Sequence, residues 1–218
     1  MVDFATVRMN MVESQLRTNK VTDQRVLEGF ETVPRERFVP ERLKSLAYID
    51  EDLRISGNRY MMEPMVLARL MDWADLQPSD VVLVVGAGSG YSLAILARIV
   101  ATAVGLESDA ELAKQGESRL QELGVDNAVM IQGEMSKGYA KQGPYDVILI
   151  NGAVGEVPKT LTDQLTDGGR LVTVVRSDTG PGRAMLMERW GDAVGRRTLF
   201  DANTPILPGF ERQVGFVF

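Results

Sequence analysis

Val81-Val82-Leu83-Val84-Val85-Gly86-Ala87-Gly88-Ser89-Gly90-Tyr91 is the stretch on which the fold of this chain turns. Its first five residues are apolar without alternation and mostly β-branched, which is how a strand buried on both faces reads. The next five are small and include three glycines, so the backbone can turn tightly and let a ligand approach closely. Beyond them Leu93, Ile95, Leu96 and Ile99 predict a helix over 91–100. Strand, glycine loop and helix in this order put the loop where α/β folds bind ligands.

The same alternation runs on toward the carboxyl end. Ala103–Leu106 reads as a second strand and 110–123 as a second helix, closed by Gly124. Ala128–Ile131 is a third strand, and Asp146–Ile150 a fourth. A helix over Leu161–Leu165 is expected to end in the turn Asp167-Gly168-Gly169, before a fifth strand at Leu171–Val175. Such βαβα order predicts a mostly parallel sheet with helices on both faces. Met185–Glu188 and Gln213–Phe218 lean toward β structure and are expected as antiparallel additions to one sheet edge. For Pro205–Glu211 a return over the sheet is an option that no residue pattern decides.

Toward the amino end, 1–77 is charged and largely helical in pattern. Thr22-Asp23 can cap a helix carrying Val26, Leu27 and Phe30, which must stop before Val33-Pro34. Residues 50–63 show no clear period and read as a loop. Pro64 then opens a helix through Leu67, Leu70 and Trp73. The expected organisation is one domain over 1–218: a helical extension with a substrate loop (1–77), a cofactor-binding core (78–175) and a sheet-edge segment (176–218).

Composition narrows the chemistry. With 218 residues, 44% of them apolar and 25% charged, the chain has the make-up of an ordinary globular protein. No apolar stretch reaches the ~18 residues of a membrane span, and the polar first residues do not read as an export signal. A cytoplasmic location without membrane contact is expected. The net charge of −6 disfavours nucleic acid as a partner. The absence of cysteine and histidine removes thiolate chemistry, the commonest general base and the usual zinc ligands, so no metal is expected. An enzyme so composed relies on carboxylates, hydroxyls, amines or a cofactor. A sulfonium methyl donor suits it, because its methyl group is already activated and an acceptor carboxylate is ionised at neutral pH.

Candidate ligand contacts cluster in the core. Gly86, Ala87, Gly88, Ser89, Gly90 and Tyr91 form the loop and the start of its helix. Glu107 ends the second strand ~20 residues on, where an acidic group reaches ribose hydroxyls. Glu134, after the third strand, can accept from an adenine amino group while Met135 packs on the ring. Each acid alone is equally readable as a solvated carboxylate, while the strand–loop–helix setting favours a ligand over a turn that merely needs glycine. The G-x-G-x-G spacing suits a nucleoside joined to an amino acid better than one joined to a pyrophosphate. These features together point to S-adenosylmethionine, with S-adenosylhomocysteine as product.

Val33-Pro34-Arg35-Glu36-Arg37-Phe38-Val39-Pro40 and Ala47-Tyr48-Ile49-Asp50 resemble the amino-terminal signature of the protein-L-isoaspartate O-methyltransferase family. The resemblance continues through Gly86–Tyr91, Gly133-Glu134, Gly138-Tyr139 and Pro144-Tyr145-Asp146. It ends with Val157-Pro158, Gln164-Leu165 and Gly168-Gly169-Arg170-Leu171, covering roughly 11–175. It implies a Rossmann-like S-adenosylmethionine-dependent methyltransferase fold. It also implies methyl transfer to the abnormal carboxylate of isoaspartyl residues in a protein or peptide acceptor, which initiates repair. The family's substrate loop falls on Ser56–Met62, where Arg59 and Tyr60 replace a Gln-Thr pair and Met62 replaces the active-site serine; Val84 replaces an acidic residue. The acceptor end is therefore expected at Asn58, Arg59, Tyr60, Met61 and Met62 without an assigned catalytic group. An isoaspartyl methyltransferase, a methyltransferase with another acceptor, and a non-catalytic cofactor-binding module are the three readings.

Overall fold

A computed structural model describes residues 3–176 and 180–212. Asp3 caps helix α1 (Phe4–Met11), accepting from the amide of Ala5 at 3.1 Å. The chain coils on through a wider turn, Val12–Leu16, that buries Val12 and Leu16. Asp23 caps α2 (Gln24–Thr32), which buries Val26, Leu27 and Phe30 and stops at the extended Val33 before proline. Gly29 lets α2 lie directly on the next layer: a Cβ there would stand 2.7 Å from Ile95 Cγ2.

Residues 50–63 are not a structureless loop. Strands β1 (Leu53–Ser56) and β2 (Arg59–Met61) form an antiparallel hairpin separate from the main sheet, with Ser56 opposite Arg59 and Gly57 at φ +39° in the turn. Leu53, Ile55 and Met61 face the core, and so does Arg59. A charged residue in an inward position hid the strand pattern. Pro64 opens α3 (Pro64–Trp73), as the sequence predicts. Asp72 near its end accepts the amides of Thr22 and Asp23 at 2.9 and 2.7 Å, tying α3 to the cap of α2.

The main sheet follows in order: β3 (Val81–Val85), α4 (Tyr91–Leu96), β4 (Thr102–Glu107), α5 (Ala110–Glu122), β5 (Ala128–Gln132), β6 (Tyr145–Val154), α6 (Lys159–Thr162), β7 (Leu165–Val175), β8 (Arg183–Trp190) and β9 (Ala193–Asp201). The spatial order is β5-β4-β3-β6-β7-β8-β9, with β3 to β7 parallel and β8 and β9 antiparallel. Val82 and Val84 enter the core shared with α1–α5, while Leu83 and Val85 enter the core on the other face, with Leu161 of α6. Burying each such side chain contributes about 1.5–3 kcal/mol, which is why this strand anchors the sheet.

Three boundaries differ from expectation. The helix after the glycine loop ends at Leu96. Helix α6 has 4 residues, and Leu165 already pairs with Tyr145, so Asp167–Gly169 is a bulge inside β7 and not the turn before it. The antiparallel additions are β8 and β9; Gln213–Phe218 lies outside the described residues. Pro205–Glu211 comes back beside β6, not over the sheet: Ile206 bridges Ala153 in parallel, with the amide of Ala153 donating to Pro205 O at 3.0 Å and that of Leu207 to Ala153 O at 2.8 Å. No helix among the described residues is long and apolar enough to cross a membrane.

Candidate functional site

The strand register lines up one edge. Val85 pairs with Leu106 on one side and Ile150 on the other, so Gly86 and Glu107 at the carboxyl ends of β3 and β4 line up with Asn151 of β6. The order of connection reverses between β3 and β6, the crevice where open α/β sheets take ligands.

The loop from Gly86 to Gly90 is held by its own backbone. Gly86 and Gly88 have φ of +77° and +57°, which side-chain-bearing residues rarely adopt. The amides of Gly86 and Ala87 donate to Leu106 O at 2.8 and 3.1 Å. The Ser89 hydroxyl donates to Phe38 O at 2.6 Å, fastening the loop to the Val33–Pro40 segment. Tyr91 points away from the crevice into an aromatic cluster with Phe30 and Phe38, beneath the Arg35 guanidinium at 5.0 Å. Burial pushes its hydroxyl up to about 12.

Glu107 is the most heavily engaged group at this edge. It is fully buried and accepts the Gly88 amide at 2.7 Å, with Ser108 and Asp109 amides at 2.9 and 3.1 Å. Arg59 from β2 completes its shell as a fork, Nε to Oε1 at 3.1 Å and Nη2 to Oε2 at 2.8 Å. Glu134 by contrast faces solvent and pairs with Lys137 at 2.6 Å; that cation and the Ser136 hydroxyl hold its carboxyl below the usual range. Met135 beside it is buried. In the hairpin, Asn58 is exposed at the turn and Tyr60 half-buried. Met61 and Met62 are only 4% and 1% exposed, so their side chains pack into the core beneath the hairpin.

Sequence reading missed several residues here. Asn151 donates from Nδ2 to Gly86 O at 3.2 Å, and its buried Oδ1 has no partner among the described residues; a polar residue directly after the apolar run of β6 was the available signal. Leu207 stands over Gly86, with both its Cδ atoms 3.0 Å from where a Cβ would lie, and Arg59 Nη2 is 3.2 Å from the same point. At the base of the hairpin Asp52 accepts from the Glu63 amide and the Thr204 hydroxyl, both at 3.0 Å. Glu63 is half-buried near Asp52 and Asp50, and burial first, then these carboxylates, push it up to about 7. Arg35, with no exposed surface, donates to Ala47 O at 2.6 Å and Met62 O at 2.8 Å and so holds the hairpin's end. Burial lowers its guanidinium from the ordinary value.

A glycine cradle at the end of the central parallel strand, an acid at the end of the next, and antiparallel strands closing one sheet edge define a Rossmann-like methyltransferase fold. Two solved structures share it. A protein-L-isoaspartate O-methyltransferase aligns over 93% of this chain and 66% of its own, at TM-score 0.82 and 24% identity. A protein described as a beta-aspartate methyltransferase from Plasmodium falciparum, in complex with S-adenosyl-L-homocysteine, aligns over 92% and 97% at TM-score 0.77 and 22% identity. The family model for protein-L-isoaspartate(D-aspartate) O-methyltransferase matches residues 7–198. A protein-L-isoaspartate O-methyltransferase of Koribacter versatilis is 41% identical over 174 residues, 80% of this chain and 78% of that one. The chain belongs to the protein-L-isoaspartate O-methyltransferase family, and with it to the S-adenosylmethionine-dependent O-methyltransferases.

The residues present fit that cofactor in chemistry: the glycines bring bare backbone to the crevice, and Glu107 offers carboxylate oxygens beside it. Space is another matter. The cavity between Asn58–Tyr60, Asn151-Gly152 and Thr204–Leu207 measures about 10 Å³, against roughly 300–1,000 Å³ for ligand pockets. Larger grooves of about 500 Å³ lie elsewhere, one between α2 and the segment after α5 and one between 156–159 and 209–212. Neither contains any of the loop or hairpin residues.

Proposed function

We propose that this chain methylates the abnormal free carboxylate of isoaspartyl residues, the α-carboxylate left when the chain continues through the side chain, in damaged proteins or peptides, using S-adenosylmethionine. The observation that carries the reading is the family match over 7–198 combined with the placement of Gly86–Gly90 and Glu107 at adjoining strand ends. When bound, the cofactor supplies an activated methyl group on sulfur. Glu107 would accept hydrogen bonds from the ribose hydroxyls, Gly86, Ala87, Gly88, Ser89, Gly90 and the backbone of Tyr91 would line its amino-acid end, and Glu134 with Met135 would serve the adenine. The hairpin from Asn58 to Met62 receives the acceptor.

The acceptor carboxylate is ionised at neutral pH, so no base is needed and the protein's task is placement, which supplies several kcal/mol of a two-substrate barrier. That a serine is absent and Met62 is buried removes a hydroxyl from placement and leaves the bond-making step intact. The same reading treats 1–218 as one functional unit in the cytoplasm, with the helical extension holding the hairpin through Arg35.

A single assay tests it: purified protein with radiolabelled S-adenosylmethionine and an isoaspartyl peptide beside its aspartyl twin. Label on the isoaspartyl peptide alone is the expected result. No label on either, with S-adenosylhomocysteine binding shown separately, overturns the reading. A methyltransferase with another acceptor, or a non-catalytic cofactor-binding role, would then stand, and the burial of Met62 favours both over the repair reading.

A further inference from the structure

The crevice that should receive the cofactor is filled by the chain's own side chains. Glu107 has its carboxylate oxygens occupied by Arg59 at 3.1 and 2.8 Å and by the Gly88 amide at 2.7 Å. A ribose hydroxyl donating to Glu107 needs the lone pairs that Arg59 holds. The open side of Gly86, where bare backbone would meet a ligand, faces Leu207 and Arg59. Gly152 meets Leu207 as well, at 2.6 Å from where its Cβ would be.

The two intruding side chains come from elements outside the strand ladders of the main sheet. Arg59 rides on a two-stranded hairpin with no ladder to the seven-stranded sheet. Leu207 rides on a segment joined to β6 and the residue after it by three backbone hydrogen bonds, of Ala153 to Pro205, Leu207 to Ala153 and Gly155 to Phe210. Moving out, Arg59 gains water around its charge, and Glu107 gains hydroxyl donors in its place.

We propose that Arg59 and Leu207 form an internal stopper in the cofactor site, and that Arg59 sets how tightly the cofactor binds. The proposal rests on the cofactor assignment made above. Cofactor and the Arg59–Glu107 pair exclude one another, so the apparent affinity is the intrinsic affinity scaled by the fraction of molecules with the hairpin displaced. The stopper also keeps the buried carboxylate satisfied while no ligand is present.

Calorimetric titration of S-adenosylhomocysteine into the full chain, R59Q and L207A is the test, with melting curves to confirm that each is folded. R59Q keeps a hydrogen-bond donor and removes the charge, while Glu107 retains its backbone donors. R59Q is expected to bind at least tenfold tighter than the parent, and L207A several-fold tighter. On the parent chain, S-adenosylhomocysteine is expected to speed trypsin cleavage after Arg59 relative to the exposed Arg54 on the same hairpin. This second readout decides the matter if R59Q fails to fold. Equal affinities for all three proteins, with Arg59 as resistant to trypsin in the complex as alone, overturn the stopper and leave the cofactor assignment standing. Absence of binding in all three overturns both.

Discussion

Replacing Arg59 by methionine measures how much the buried pair stabilises the fold. Methionine keeps most of the apolar stem and removes the guanidinium, so core packing of the hairpin changes little. What remains is Glu107, fully buried and without its cation. Breaking a buried pair from one side costs about 3–5 kcal/mol, because an uncompensated charge is left behind. Here the amides of Gly88, Ser108 and Asp109 still donate to that carboxylate at 2.7, 2.9 and 3.1 Å, which places Arg59→Met at the lower end, about 3 kcal/mol. In a chain of this size that lowers the melting temperature by roughly 6–12 °C. Glu107→Gln removes the same pair from the other side, and the double variant loses it only once. A double-mutant cycle by urea unfolding should therefore return a coupling of about 2–3 kcal/mol, nearly independent of salt. A coupling below about 0.5 kcal/mol, the size found for solvated surface pairs, would refute the claim that Arg59 is locked into the crevice.

Glu63 makes stability depend on pH. Its carboxyl titrates near 7 in the folded chain against 4.5 unfolded, so the folded state holds the proton more tightly. Stability therefore falls as pH rises between those values and stays reduced above them. Glu63→Gln should have little effect near pH 4.5 and stabilise by about 1–2 kcal/mol near pH 8, discounted for a group only half-buried; melting curves showing the same difference at both pH values would refute this. Gly29→Ala gains about 1 kcal/mol of helix propensity. It also drives a methyl group to within 2.7 Å of Ile95, and overpacking of that kind costs about 1–3 kcal/mol. The expected net loss is about 1 kcal/mol by chemical unfolding, and a stabilised variant would mean that α2 and α4 sit farther apart than described.

The parallel core was legible because its strands are built around short, mostly apolar runs, and runs of that kind survive without any knowledge of their neighbours. Val81–Val85 and the VILI of β6 needed only their own residues to declare themselves. The two hairpins were harder. Both turn on a glycine followed by a short polar residue, Gly57-Asn58 and Gly191-Asp192, with φ of +39° and +58° at the glycines. That dipeptide is a hairpin signal in its own right. It was obscured in the first case by the inward Arg59 and in the second by β9, an edge strand whose Ala193–Arg197 half faces solvent with no apolar side to reveal it. The site divides in the same way. Glu107 could be placed by its distance from the glycine loop, while its partner Arg59 lies 48 residues away in sequence. Leu207 is more remote still, and no local pattern connects either residue to Gly86.

That distance orders events during synthesis. The loop at Gly86–Gly90 and the acid at Glu107 are available once β3 and β4 have left the ribosome. The side chain that roofs them belongs to residue 207, one hundred residues after Glu107, on the segment that follows β9 and bridges back to Ala153 of β6. At elongation rates of about 5–20 residues per second, Leu207 leaves the ribosome about 5–20 s after Glu107. Of the two side chains in the stopper, Arg59 is made before the crevice it enters and Leu207 after it.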